Sequence, residues 1–279
     1  MKFENTSVCN FENAFRGMRN PLESWDKSDS KFGISSLQSF KGDYEVTLLY
    51  LQKALPSSNE KDKDIVQRGK CSRKILTWLW ANGIKSYYED DIVKYDLIGP
   101  RDMDLALKLI HGGSEHRKFL RQILVSVDIT APMYWWSEFD TYKVGTVANS
   151  TSKMHKITSK PITAECFEIT ENESEQVATE LTNSYSIVIN MCEELRQKFL
   201  ETEDRKYWRE LIRWLPVSWL QTRTVTMNYE NILTIYNQRK NHRLTEWNKD
   251  FCGWVEQLPY ANCFFQGLKF NEIIEAFKN

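Results

Sequence analysis

The chain has 279 residues, with 37 Lys+Arg against 38 Asp+Glu and a formal net charge of −1. That balance excludes attachment to nucleic acid by bulk positive charge, so no direct nucleic-acid binding is expected. At 41% hydrophobic and 27% charged it has the composition of a folded chain, and no stretch approaches the roughly 18 to 20 apolar residues of a membrane span.

The first stretch, through about Ser30, shows no regular period, and Ala14 to Pro21 reads as a turn ending a short element. A helix is predicted over Tyr44 to Leu55, then a charged loop from Pro56, then a helix around Ile65 to Trp80. Gly99-Pro100 breaks the chain and opens a helix whose predicted apolar face is Met103, Leu105, Leu107 and Ile110. Ile123, Val125, Val127 and Ile129 alternate with Leu124, Ser126, Asp128 and Thr130, the mark of a strand with one apolar face, ending at Ala131-Pro132. An aromatic stretch from Met133 follows. It turns polar through Ala148-Asn-Ser-Thr-Ser, which reads either as ligand donors and acceptors or as a surface turn.

Thr158 to Glu171 reads as a connector with a short strand at Ile162 to Phe167. Leu181, Tyr185, Val188, Cys192, Leu195 and Phe199 then recur at helical spacing, with Glu193, Glu194, Arg196 and Lys198 off that stripe. A helix over Lys206 to Trp214 and a strand over Trp219 to Met227 come next. Asn228 is placed to cap a helix over Tyr229 to Arg239, with Glu230 in its first turn, and a last helix spans Leu244 to Gln257. Helices with a few separated strands indicate an α+β fold, read here as one domain.

Common catalytic signatures are absent: no phosphate loop, G-x-G-x-x-G, H-E-x-x-H or nucleophile elbow occurs. His111-Gly-Gly reads as a helix end stopped by glycine. The six cysteines (9, 71, 166, 192, 252 and 263) form no C-x-x-C pair and read as small buried hydrophobes. The N-terminal residues lack the apolar core of a signal peptide, so a cytoplasmic protein is expected.

Three blocks carry a resemblance. The first is His111-Gly-Gly-Ser-Glu-His-Arg-Lys-Phe-Leu-Arg-Gln, followed by the alternating strand and Thr130-Ala-Pro-Met. The second, Trp135 to His155, stands in the place of a signature R-H-R-x-x-S-x-N-x-x-S-x-R-Y. It retains Asn149 and Ser152, while Tyr142, Lys143 and Val144 stand for R-H-R and Met154-His155 for R-Y. The third joins Arg213-Trp-Leu-Pro to Asn228 and Arg239, whose types and mutual spacing are kept. In this order of elements the chain resembles the flavin-dependent thymidylate synthase family over roughly its last two-thirds.

The resemblance implies a mixed α/β fold with a small sheet flanked by helices, and a homotetramer. It implies FAD as cofactor, NADPH and methylenetetrahydrofolate as co-substrates, and a pyrimidine nucleotide as substrate, with dUMP to dTMP the default reaction. By the same resemblance Gln122, Lys143, Asn149 and Asn228 are candidate cofactor contacts, and Ser150, Ser152, Arg213 and Arg239 candidate nucleotide contacts. The loss of the signature's arginines leaves open a repurposed or non-catalytic nucleotide-binding homologue of the same fold.

Overall fold

A computed structural model describes residues 1–34, 85–89, 92–169 and 175–267. The helices expected at Tyr44 to Leu55 and Ile65 to Trp80 lie outside the described residues. The chain divides into two compact units, Met1–Ser7 with Ser126–Met227, and Val8–Val125 with Asn228–Asn279. The expected α+β class, small sheets with helices around them, is what the structure has.

The first unit is built on a four-stranded sheet in the order β1 (Lys2–Cys9), β5 (Leu124–Pro132), β7 (Leu220–Asn228) and β6 (Val147–Ser150). The alternation predicted for 123 to 129 is observed: Ile123, Val125, Val127 and Ile129 are all at most 1% exposed. Strand β1 escaped prediction because its side chains are mostly exposed and polar; as an edge strand it is defined by backbone pairing, not by an apolar face. Helix α3 (Met133–Phe139) buries Trp135, Trp136 and Phe139. The Trp135 ring stacks on Phe139 at 5.0 Å and meets Trp136 edge-on at 4.9 Å.

A short helix α4 (Lys153–Lys156) leads to the connector, and α5 (Glu175–Thr202) packs on α6 (Arg205–Trp214). The predicted strand at Ile162 to Phe167 is instead a 3-10 turn, Ala164–Cys166, with a lone antiparallel bridge from Phe167 to Trp219. The Ile162 amide donates to the Glu193 carboxylate at 2.7 Å, so it serves that side chain and not a strand partner. Arg196, read as lying off the apolar stripe of this helix, is nevertheless 6% exposed. It forks onto Glu193 (2.6 and 2.7 Å) and donates to the Thr158 carbonyl at 3.0 Å, which satisfies a cation that periodicity alone places outside.

In the second unit, α1 (Phe11–Arg19) overturns the turn read at Ala14 to Pro21. Phe11, Ala14, Phe15 and Met18 face inward at helical spacing, and the break comes only at Asn20-Pro21, which begins a 3-10 turn. A three-stranded antiparallel sheet has the order β2 (Lys31–Ile34), β4 (Ile92–Leu97), β3 (Lys85–Glu89). Helix α2 (Pro100–His111) opens at Pro100 as predicted, but its buried face is Asp102, Met103 and Ala106. Asp102 is fully buried because Arg19 Nε donates to it at 2.6 Å and the Ser28 and Ser30 hydroxyls satisfy its other oxygen. An acid with these partners belongs to the core, and it turns the helix away from the face Leu105, Leu107 and Ile110 suggest.

Helix α7 (Tyr229–Arg239) matches its prediction, and Asn228 caps it through a capping box with Asn231. The last predicted helix is not regular. Glu246–Phe251 is a π-helical turn, followed by the short helices α8 (Cys252–Val255) and α9 (Ala261–Phe264). No described helix is long and apolar enough to cross a membrane.

Candidate functional site

The first unit carries five of the sequence-predicted site residues. Strand β6 is the sheet edge and all four of its residues are exposed, so the polar run is a strand and not a turn. Its antiparallel register sets Asn149 opposite Thr224 and Ser150 opposite Arg223. Directly opposed residues share a sheet face, so Ser150 lies on the side of Arg223, and Asn149 on the side of Thr224. On that second side Thr224 Oγ1 donates to Asp128 at 2.6 Å and Asn5 Nδ2 at 2.8 Å. These two donors hold the Asp128 carboxyl below the ordinary carboxylate range.

Lys143 is exposed and makes no ion pair among the described residues. Ser152 caps α4, its hydroxyl accepting from His155 N at 3.1 Å. Arg213 stands at the end of α6 with a 68% exposed side chain, paired to Glu210 at 2.6 Å. A surface pair of this kind is worth about 0 to 1 kcal/mol.

The residue that sequence reasoning passed over is Arg223. It projects from β7 with 12% of its side chain exposed. Its Nη1 donates to Asp140 Oδ1 at 2.7 Å, its Nε to Gln221 Oε1 at 3.0 Å, and its guanidinium lies 4.2 Å from the Trp136 ring centroid. Gln221, itself 6% exposed, donates through Nε2 to the Thr151 carbonyl at 2.8 Å. The only signal in the sequence was an arginine set in a Thr-rich strand, which no helical or strand template marks.

The second unit carries the other three. Arg239 ends α7 with its guanidinium 4.6 Å from the Trp247 ring centroid, beside the π-helical turn. A π turn widens a helix by one residue and is frequent at functional sites. Asn228 is a structural cap whose Oδ1 accepts from Asn231 N at 3.0 Å. Gln122 closes a 3-10 turn, and its side chain lies against Gly17, where a Cβ would meet Gln122 Oε1 at 2.6 Å. Arg117 forks onto Glu230 with distances of 2.9 to 3.1 Å, which joins the first resembling block to the third.

The thiols separate by depth. Cys192, Cys252 and Cys263 are buried, as the sequence suggests, whereas Cys9 is exposed and Cys166 half-buried. Burial pushes the Cys252 thiol up to about 11 and Cys263 to about 12, so neither is a nucleophile near neutral pH.

No protein-family model and no curated protein matches the chain. Solved structures do. Thymidylate Synthase X (ThyX) from Helicobacter pylori, crystallised with FAD and dUMP, superposes with a TM-score of 0.56 at 12% identity, covering 96% of this chain and 98% of that one. The UMP/dUMP methylase PolB from Streptomyces cacaoi, bound with 5-Br dUMP, aligns at 14% identity over 61% of this chain and 82% of its own, with a TM-score of 0.48. The chain has the fold of a flavin-dependent thymidylate synthase.

Proposed function

We propose that this chain is a divergent member of the flavin-dependent thymidylate synthase family, a cytoplasmic homotetramer acting on a pyrimidine deoxynucleotide. The default reaction is dUMP to dTMP with FAD, NADPH and methylenetetrahydrofolate. One observation carries the reading: the fold likeness spans nearly all of both chains.

The residues of the first unit suit such ligands in type. Lys143 offers an exposed cation for a flavin pyrophosphate, and Asn149, Ser150 and Ser152 offer amide and hydroxyl groups at an open sheet edge for a flavin or nucleotide. Arg213 and Arg239 are the nucleotide-phosphate and base contacts, since a planar fork meets phosphate oxygens in pairs. Bound FAD supplies hydride chemistry that no side chain has. Gln122 and Asn228 fit less well, because one leans on Gly17 and the oxygen of the other is used by its own helix.

A second reading, a nucleotide-binding homologue without methyl transfer, is favoured by one feature. Tyr142, Val144 and Met154 replace signature arginines, and Arg223, set in the strand opposite Ser150, is already matched by Asp140. The two readings separate in one experiment. The purified protein is examined for a flavin band, then incubated anaerobically with FAD, NADPH, methylenetetrahydrofolate and dUMP and assayed for dTMP. Flavin with dTMP supports the enzyme, and nucleotide binding without dTMP supports the homologue. Binding of neither flavin nor nucleotide rejects both.

A further inference from the structure

We infer that Arg223 and Gln221 are positioning residues that fix the segment 141–150 from strand β7, an inference that rests on reading this segment as part of the ligand site. Asp140, just before the segment, is held by Arg223 Nη1, and Thr151, just after it, by Gln221 Nε2. Arg223 Nε joins the two braces by donating to Gln221 Oε1, and Trp136 Nε1 donates to the Gln221 carbonyl at 2.9 Å. The Thr151 amide also donates to the Thr222 carbonyl at 2.9 Å.

Between these anchors the start of the segment is also tied to α3: the Thr141 amide donates to the Glu138 carbonyl at 3.1 Å, the Tyr142 amide donates to the Phe139 carbonyl at 2.9 Å, and the Tyr142 and Phe139 ring centroids lie 6.4 Å apart. Residues 147–150 are laddered to β7, but 141–146 have no strand partner, and the apolar side chains are outside: Val144 is 87% exposed and Val147 68%. The two valines therefore do not fix the segment by burial, and the polar anchors at its two ends carry that task. Arginine suits the role because one planar group serves an acid, an amide and an aromatic face together; lysine has one point charge and no face to stack. Asp140 is 53% exposed while Arg223 is 12% exposed, so the acid is the solvent-facing half of the brace and the cation its fixed half.

Brief trypsin digestion reads the brace directly, because Lys143-Val144 is an exposed bond inside the segment. Loss of a charge-assisted bond shifts a local opening equilibrium by about tenfold or more. Arg223→Ala is expected to speed cleavage after Lys143 about tenfold, with Arg223→Lys and Gln221→Leu intermediate. Cleavage after Lys206 should stay within about twofold. Affinity for dUMP and FAD, measured on the same proteins, should fall in step with the cleavage rate. Asp140→Asn separates a brace from a ligand contact: it weakens dUMP binding if Arg223 positions the segment, and strengthens it if Arg223 is itself the nucleotide's cation. Should Arg223→Ala fail to fold, the Arg223→Lys and Asp140→Asn proteins carry the test. Unchanged cleavage after Lys143 in these variants, or tighter dUMP binding by Asp140→Asn, overturns the inference. Wild-type protein that binds neither dUMP nor FAD rejects the proposed function instead, while the cleavage rates still judge the brace.

Discussion

The carboxylate of Glu230 receives two nitrogens of Arg117, a residue 113 positions earlier in the chain. Both side chains are largely buried, at 21% and 13% exposed, and Glu230 stands in the first turn of α7, where its charge also meets the helix dipole. Removing one partner strands the other's charge. Glu230→Leu and Arg117→Leu should each cost about 2 to 4 kcal/mol, and the double variant less than the sum. Thermal melts of the three proteins check this, and strict additivity would show that the fork contributes nothing of its own.

Arg239 is the sharpest test of nucleotide contact. Its stacking on Trp247 is worth about 0.5 to 2 kcal/mol, so Arg239→Ala should lower the melting temperature only modestly. Its loss of dUMP affinity should be larger, about 1.5 to 3 kcal/mol. Calorimetric titration alongside a melt decides: a large stability loss with unchanged affinity makes the arginine structural.

Glu193 gives the chain an acid-sensitive joint. The Arg196 fork, aided by the Ile162 amide, draws its carboxyl down to about 2, below the ordinary 4.5. A carboxyl lowered on folding contributes stability that is complete above its unfolded value and is lost as pH falls from there through about 2. The stability difference between wild type and Glu193→Gln should therefore be constant above about pH 5 and shrink steadily toward pH 2. Urea unfolding across that range measures it, and a difference independent of pH would show that the ionised carboxylate is not the source.

Alkylation should sort the thiols by depth. At pH 8, iodoacetamide is expected to label Cys9 readily, and Cys252 and Cys263 only after denaturation, since burial both raises and shields them. Peptide mass spectrometry reads the sites. Rapid labelling of Cys263 in the native protein would contradict the packing around it.

Much of the fold was legible because its elements obey a simple period. The strand ending at Pro132, helix α6, strand β7 and the helix from Asn228 to Arg239 all stand where alternation, capping and proline put them. Two of the errors came where a polar side chain does the work of an apolar one. Asp102 takes a core position by virtue of Arg19, and Arg196 by virtue of Glu193; in each case the decisive partner is invisible to a template that scores hydrophobicity alone. The family resemblance proposed Asn149, Ser152, Arg213 and Arg239, but not Arg223, which engages Asp140, Gln221 and the Trp136 ring together. A side chain that reaches from one strand to a segment some eighty residues away leaves no local trace.

The wide turn at Glu246–Phe251 has a consequence for how this region tolerates insertion and deletion. A π turn holds one more residue than an α turn, so removing one residue there restores the ordinary helix at little backbone cost. Everything on one side of the cut then rotates by about 100° relative to the other. Trp247 and Phe251, both fully buried, could not both stay in the interior after that rotation, and the indole under Arg239 would leave it. The additional residue thus acts as a phase adjuster, keeping the C-terminal aromatic core and the arginine at the end of α7 in step.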